Sequence, residues 1–242
     1  MTGELSVRFW GVRGSVACAG SEYLRYGGNT PCIEIAAGGR RLVFDAGTGI
    51  RPLGIAMGDA DPLDIDLFFS HTHFDHIGGL SFFAPLFSPG NRIRMWTGHL
   101  LPDMRMPDVL RQLMAAPLYP VSVDIFKAAV QFNDFRAGET LNPAPGIVLR
   151  TAPLNHPNGA TGYNTDEEYP RYRGWGHSTW QEGVRIADAA GVGTLAIFHH
   201  DPSHDDDFMD GVAAAAARAR PGTNANGLPR VVVTHEGLVL AP

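Results

Sequence analysis

The sequence predicts an α+β fold, and three observations predict it. The first fifty or so residues are short apolar runs broken by paired glycines. From Thr179 onward, helical and extended patterns alternate. No apolar run approaches the roughly 20 residues that a bilayer span requires, and hydrophobic residues at 44% with charged residues at 18% suit a folded, water-facing chain.

Taken in order, Leu5–Trp10, Pro31–Ala36 and Arg41–Phe44 read as strands, with Gly27-Gly28 and Gly38-Gly39 supplying the turns between them. The Gly47-Thr-Gly49 turn opens a helical stretch over Ile50–Met57. Ile65–Ser70 is an apolar run of buried-strand type that ends in polar chemistry at His71. A helix is expected from Ile77 and a strand over Arg92–Thr97. Asp103–Met114 has helical spacing in Met104, Val109, Leu110 and Leu113, with Asp103 placed to cap it. Val123–Val130 and Gly146–Ala152 read as strands around an Asn142–Gly146 turn, and residues 153–177 as irregular chain. Thr179–Ala190 and Asp205–Arg220 are expected helices, the second with acids at its start and Arg218 and Arg220 at its end, as the helix dipole favours. Thr194–Phe198, Val231–Thr234 and Leu238–Leu240 are expected strands. No repeat or linker divides the chain, so residues 1–242 read as a single domain.

Charge narrows the function. Nineteen Lys and Arg face 25 Asp and Glu, a net charge of −6 with no basic run. Proteins that grip nucleic acid draw affinity from displaced counterions and carry a basic stripe, so no extended nucleic-acid surface is expected. No membrane association is expected either. Cys18 and Cys32 are too far apart for a CxxC pair and too few for a disulfide framework. The start of the chain holds an early acid, Glu4, and no signal-peptide core, so a cytoplasmic protein is the expectation.

Ten histidines in 242 residues are either scattered or assembled. Phe68-Phe-Ser-His71-Thr-His73-Phe-Asp75-His76 decides for assembly. Alternate residues of an extended segment share a side, so His71 and His73 can hold one metal ion. Asp75 and His76 follow where the chain turns into a helix and can serve a second. Two divalent ions about 3.5–4 Å apart can activate a bridging water and stabilise a developing oxyanion. A solvated His-rich turn is the competing reading, and the apolar Leu67-Phe68-Phe69 that delivers the motif argues against it. Histidine and carboxylate ligands suit Zn, while Mn and Fe accept the same set.

With this motif the chain resembles the metallo-β-lactamase fold hydrolases, whose signature is HxHxDH. Asp45-Ala-Gly-Thr-Gly49 is similar to the family's strand-end acid and turn, and Asn155-His156 to Tyr163 resembles its next ligand segment. Phe198-His199-His200-Asp-Pro202 follows an apolar strand as the family's last ligand does. Phe9–Ser15, Tyr26–Thr30 and Gly176-His-Ser-Thr179 narrow the likeness to the branch with ribonuclease Z and cyclic phosphodiesterases. The resemblance implies an αββα four-layer sandwich. It makes His156 the third ligand of the first metal and His199 a ligand of the second, with His200 a supporting or core residue. His177 becomes a proton donor or phosphate contact, counted with Asp75 as catalytic. His204 and His235 are expected to be structural, and His99 to sit in a surface loop. Arg13, Arg25 and Arg173 are solvated by default, although each could meet a phosphate.

The chain departs from the family in one place. Two-metal members carry a bridging Asp on a strand between the Gly-Tyr and Gly-His-Ser motifs. Here only Asn164–Trp175 lies there, with no apolar run. Either Asp166 is a displaced bridging ligand or it is an ordinary loop acid, in which case the second sheet is shortened between residues 163 and 176. A shortened sheet exposes an edge that a second copy would cover, which motivates a homodimer.

The resemblance implies a metal-dependent hydrolase of a small or cyclic phosphodiester, using a hydroxide activated by one or two divalent metals, most simply Zn. Two alternatives stay open: hydrolysis of a lactone, thioester or β-lactam-type carbonyl, and a degenerate metal-binding protein lacking the bridging acid.

Overall fold

The computed structural model describes residues 5–58, 62–154, 156, 162–164 and 177–242, without the side chains of 162–164 and His177. Its largest element is a seven-stranded sheet. Strand β1 (Ser6–Gly11) lies between β13 (Val239–Leu240) and β2 (Cys32–Ala37), and β2 continues to β3 (Arg40–Phe44), all antiparallel. Next come β4 (Asp64–Phe69), β5 (Arg92–Thr97) and β6 (Ala129–Asp134), each parallel to its neighbour from β3 outward.

Strand β4 is buried on both faces, which is why it reads as an apolar run and not as an alternating one. Ile65, Leu67 and Phe69 of β4 pack with Val43, Ile93 and Met95 against helix α1 (Ile50–Met57) and helix α3 (Met106–Leu113). On the other face Phe68 packs with Leu42, Phe44 and Trp96 under Leu141 and Leu149. Those two leucines belong to a hairpin of β7 (Thr140–Ala144) and β8 (Ile147–Arg150). On this second face Asp66 is fully buried. Arg94 holds its carboxylate through Nε at 2.6 Å and Nη2 at 3.0 Å, Arg40 Nη2 donates at 2.6 Å, and Trp96 Nε1 donates at 3.0 Å. Burial penalises that charge, yet the arginine and tryptophan hydrogen bonds outweigh the penalty and hold the carboxyl below its ordinary range.

The remaining strands form short parallel pairs: β9 (Gly162–Asn164) with β10 (His177–Thr179), and β11 (Leu195–Ile197) with β12 (Val231–Val233). Helices α4 (Trp180–Ala189) and α5 (Asp206–Ala219) accompany them, capped by Thr179 Oγ1 and an Asp205 carboxylate oxygen. No helix among the described residues is long and apolar enough to cross a membrane.

Several expected boundaries move. The helix expected from Ile77 is α2 (Phe74–Ile77), which begins directly after His73. Arg105, not Asp103, precedes α3, where the Asp108 carboxylate accepts from its backbone N–H. Val123–Ile125 is a single helical turn, so strand β6 begins only at Ala129. The Asn142–Gly146 turn is partly strand β7, because a hairpin with an open outer side tolerates Pro143. The whole stretch between β9 and β10, residues 165–176, lies outside the described residues, and the expected bridging Asp166 with it.

Candidate metal centre

Strand β4 delivers its last buried residue, Phe69, at the carboxyl end of the parallel sheet, where α/β proteins place their sites. The chain runs on through Ser70, His71, Thr72 and His73 before α2 begins, with His73 still extended at φ −65° and ψ 155°. That extended residue keeps His71 and His73 on one side, their ring centroids 4.5 Å apart. His156, supplied by the chain after β8, joins them at 4.8 and 4.9 Å. Each of the three offers a ligand atom within 4.8 Å of the others'.

The first turn of α2 points Asp75 and His76 inward, and both are buried. With His71 they form a second trio of ligand atoms inside 4.8 Å. His199, just beyond β11, comes in from the other side. Its Nε2 lies 3.0 Å from His76 Nε2 and 3.1 Å from Asp75 Oδ2, while His76 Nε2 stands 3.3 Å from the same oxygen.

Supports hold this arrangement from outside. Asp45 Oδ2 lies 2.9 Å from His76 Nδ1 and fixes which ring nitrogen faces the centre. Asp45 also accepts from the Ser70 backbone N–H at 2.8 Å and from Ser70 Oγ at 2.8 and 3.0 Å. The Ser15 backbone N–H donates to Asp75 Oδ2 at 2.8 Å. The chain after β1 is stitched to the chain after β11 by His200 N–H to Val12 O and Gly14 N–H to His200 O, both 2.8 Å. Gly14 thereby lies against the His199 ring, so closely that a Cβ there would run into it.

Among the described residues three non-glycines have positive φ: Ser15 at 62°, Asp45 at 64° and His199 at 68°. All three touch this one cluster. Left-handed backbone is costly for a side chain with a Cβ, and such strain collects where a site requires it. Charge follows the same geometry. Burial and the neighbouring His76, His73 and His156 push His71 down to about 2. His76 moves the other way: burial opposes its charge, but Asp45 and Asp75 prevail and raise it to about 9. Burial likewise opposes the Asp75 charge, yet hydrogen bonds from His199 and His76 hold that carboxyl far below its ordinary value.

Whether these residues suit a divalent ion can be judged from the donor set. With Asp45 engaging His76 Nδ1, two imidazole Nε2 atoms and a carboxylate oxygen converge within 3.3 Å. Lone pairs so arranged repel unless a proton or a cation lies among them. Nitrogen and oxygen donors in these numbers fit Zn, Mn or Fe.

Of the expected site residues, the structure brings together His71, His73, Asp75, His76, His156 and His199. His177 has its backbone in β10 and its side chain outside the described residues. His200 turns away and is buried, its Nε2 2.8 Å from Thr234 O, and burial drops it to about 3. Arg13 is fully buried, donating to Gly27 O and His204 O, and Arg25 pairs with Asp207 and Asp210. Arg173 lies outside the described residues.

His99 is a correction. It lies in the loop after β5 but half-buried against the cluster, with Nε2 3.1 Å from Thr72 Oγ1 between His71 and His73. Its place just past the carboxyl end of β5, equivalent to that of His71 past β4, was the available signal. Gly14 and Ser15 lie in the Phe9–Ser15 segment of family likeness, but only the tertiary crossing of two distant loops creates their supporting role.

A model of the Metallo-beta-lactamase superfamily matches residues 25–208. The chain is 25% identical over 146 residues to the anti-Pycsar protein Apyc1 of Saccharibacillus brassicae, a match covering 58% of this chain. It takes in 56% of that protein, little more than half its length. A diphosphatase from the PhnP family superposes with a TM-score of 0.63 at 17% identity, over 98% of this chain and 97% of that one. Human tRNase Z, short form, does so with 0.62 at 13% identity, over 98% and 99%. At those identities the two structures speak for the fold.

Proposed function

The chain belongs to the metallo-beta-lactamase superfamily, and from that premise we propose that it is a metal-dependent hydrolase of a small or cyclic phosphodiester. The observation that supports this reading is the placing of His71 in both groups of candidate ligand atoms, which adjoin at the carboxyl end of β4. His71, His73 and His156 would hold one ion, and Asp75, His76 and His199 the other. Bound there, divalent metal would make water nucleophilic near neutral pH and offset negative charge on the phosphoryl oxygens.

The chain's own groups set the geometry for that chemistry. Asp45 and Ser70 fix the His76 ring, and the Ser15 N–H holds Asp75 so that its carboxylate faces the centre. His177, by resemblance, would hand a proton to the departing alkoxide. A phosphorus ester is favoured over a carbonyl by the Gly176-His-Ser-Thr179 motif and by the diphosphatase and tRNase that share the fold. The acidic net charge of −6 favours a small substrate over a long nucleic acid.

Turnover of bis(p-nitrophenyl) phosphate by protein supplied with Zn or Mn tests this. Metal-dependent hydrolysis that His73→Ala abolishes is the expected result. Hydrolysis of a lactone panel with no phosphodiester turnover would move the carbonyl reading ahead, and turnover surviving His73→Ala would remove the metal assignment.

A further inference from the structure

Beside the centre, at the same end of the parallel strands, a cavity of about 460 Å³ opens between the sheet and the β7–β8 hairpin. Its walls are Phe44, Phe68, Phe135, Leu141, Leu149 and Leu154. The rings of Phe44 and Phe68 stack at 5.1 Å and 18°, and Trp96 extends the row behind Phe68 at 5.5 Å and 15°. Polar groups enter at few places. Ser70 and His99 stand on the side of the metal ligands, and Arg150 and Thr151 toward the hairpin.

The cavity adjoins the proposed centre through residues next to its ligands in the chain. Ser70 Oγ lies 3.1 Å from His71 Nδ1, and the wall residue Leu154 is two positions before His156. His99 also lines a second opening, which it shares with Thr72 and His73. The His99 ring therefore partitions the two spaces. Its Nε2 is tied to Thr72 Oγ1, and its buried Nδ1 has no hydrogen-bond partner among the described residues.

We propose that this cleft is the subsite for the organic group of the substrate, and that the group is apolar and flat, an aryl or similarly sized ester substituent. This rests on the reading of the centre as a phosphodiester hydrolase. A phosphoryl group at the ligand cluster would send one ester arm past His99 and Leu154 onto the Phe44–Phe68 row. The cavity has the volume of an ordinary small-molecule site, with apolar walls and a few polar groups at one end. A charged or sugar-like arm would lose hydration against phenylalanine and leucine with little returned, whereas a planar ring gains apolar burial and ring stacking.

Affinity of the protein for diphenyl phosphate and for dimethyl phosphate, measured by calorimetry with and without Zn, tests the cleft apart from catalysis. Diphenyl phosphate is expected to bind about 10- to 100-fold more tightly, from burial of one aryl ring. Ala137→Trp, at an exposed position on the cleft lining, is expected to erase that preference while leaving the melting temperature unchanged. Ala152→Trp fills the same space from the other rim and serves if the first variant does not fold. Equal affinity for the two esters, or a preference that persists in the filled variants, overturns the assignment. Aryl-selective binding without hydrolysis of any phosphodiester would keep the cleft and remove the function; hydrolysis indifferent to aryl or methyl arms would do the reverse.

Discussion

His76 and His199 present their Nε2 atoms to each other at 3.0 Å, with a carboxylate oxygen of Asp75 within 3.3 Å of both. They are 123 residues apart in sequence, so only the fold makes this contact. His76 is fixed from behind by Asp45, and His199 is held in a left-handed backbone conformation beside Gly14. Nitrogen and oxygen donors held this way fit a divalent cation.

Removing one side of that contact should separate the two sites. His199→Ala is expected to lower bound Zn from two ions per chain to one and to reduce phosphodiester turnover at least 100-fold. The remaining ion should report the His71, His73 and His156 trio. Elemental analysis after gel filtration checks this, and two ions retained in the variant would refute the assignment of His199.

Asp45 should act through orientation and charge. Its φ of 64° is tolerated by asparagine, so Asp45→Asn keeps the backbone while removing the carboxylate that engages His76 Nδ1. Loss of such an outer partner typically weakens metal binding about 10- to 100-fold. Competition with a zinc chelator measures it. Unchanged affinity would mean that Asp45 only closes the turn.

Gly14→Ala places a methyl group against the His199 ring. The ring must move, because its backbone is held between Val12 and Gly14 through the bonds at His200. Weaker binding of the second ion is expected, with the first retained and little change in thermal stability. Full binding of both ions would show that the loop can yield.

Much of the site could be read along the chain and part of it could not. His71, His73, Asp75 and His76 stand within six positions, so spacing alone reveals them. His156 follows an irregular loop and His199 a short apolar strand, and motif likeness is what singles them out. Gly14 and Ser15 lie in a segment of family likeness and His99 at a strand end, but their roles arise only where loops after β1, β5 and β11 meet. Asp103 has the chemistry of a helix cap, yet the helix begins three residues later at Met106. The strand expected from Val123 was shortened because its first residues close a helical turn under the sheet.

Asp66 predicts how stability depends on pH. Burial penalises its ionised form, but Arg94, Arg40 and Trp96 hold the folded carboxyl below its unfolded value near 3.9. Its contribution is therefore complete above that unfolded value and is lost as pH falls through the folded one. Asp66→Asn should destabilise the protein by about 1–3 kcal/mol at pH 7, because half-buried Arg40 and Arg94 lose one of their two carboxylate partners and keep Asp64. The gap between wild type and variant should narrow as the solution becomes acid. Urea titrations between about pH 3 and 7 read it, and a gap independent of pH would place the stabilisation elsewhere.

Anomalous diffraction from crystals grown with Zn addresses the centre most directly. Two peaks per chain are predicted, one among His71, His73 and His156 and one among Asp75, His76 and His199. A single peak, or none with Zn, Mn and Fe each supplied in turn, would contradict the two-site account.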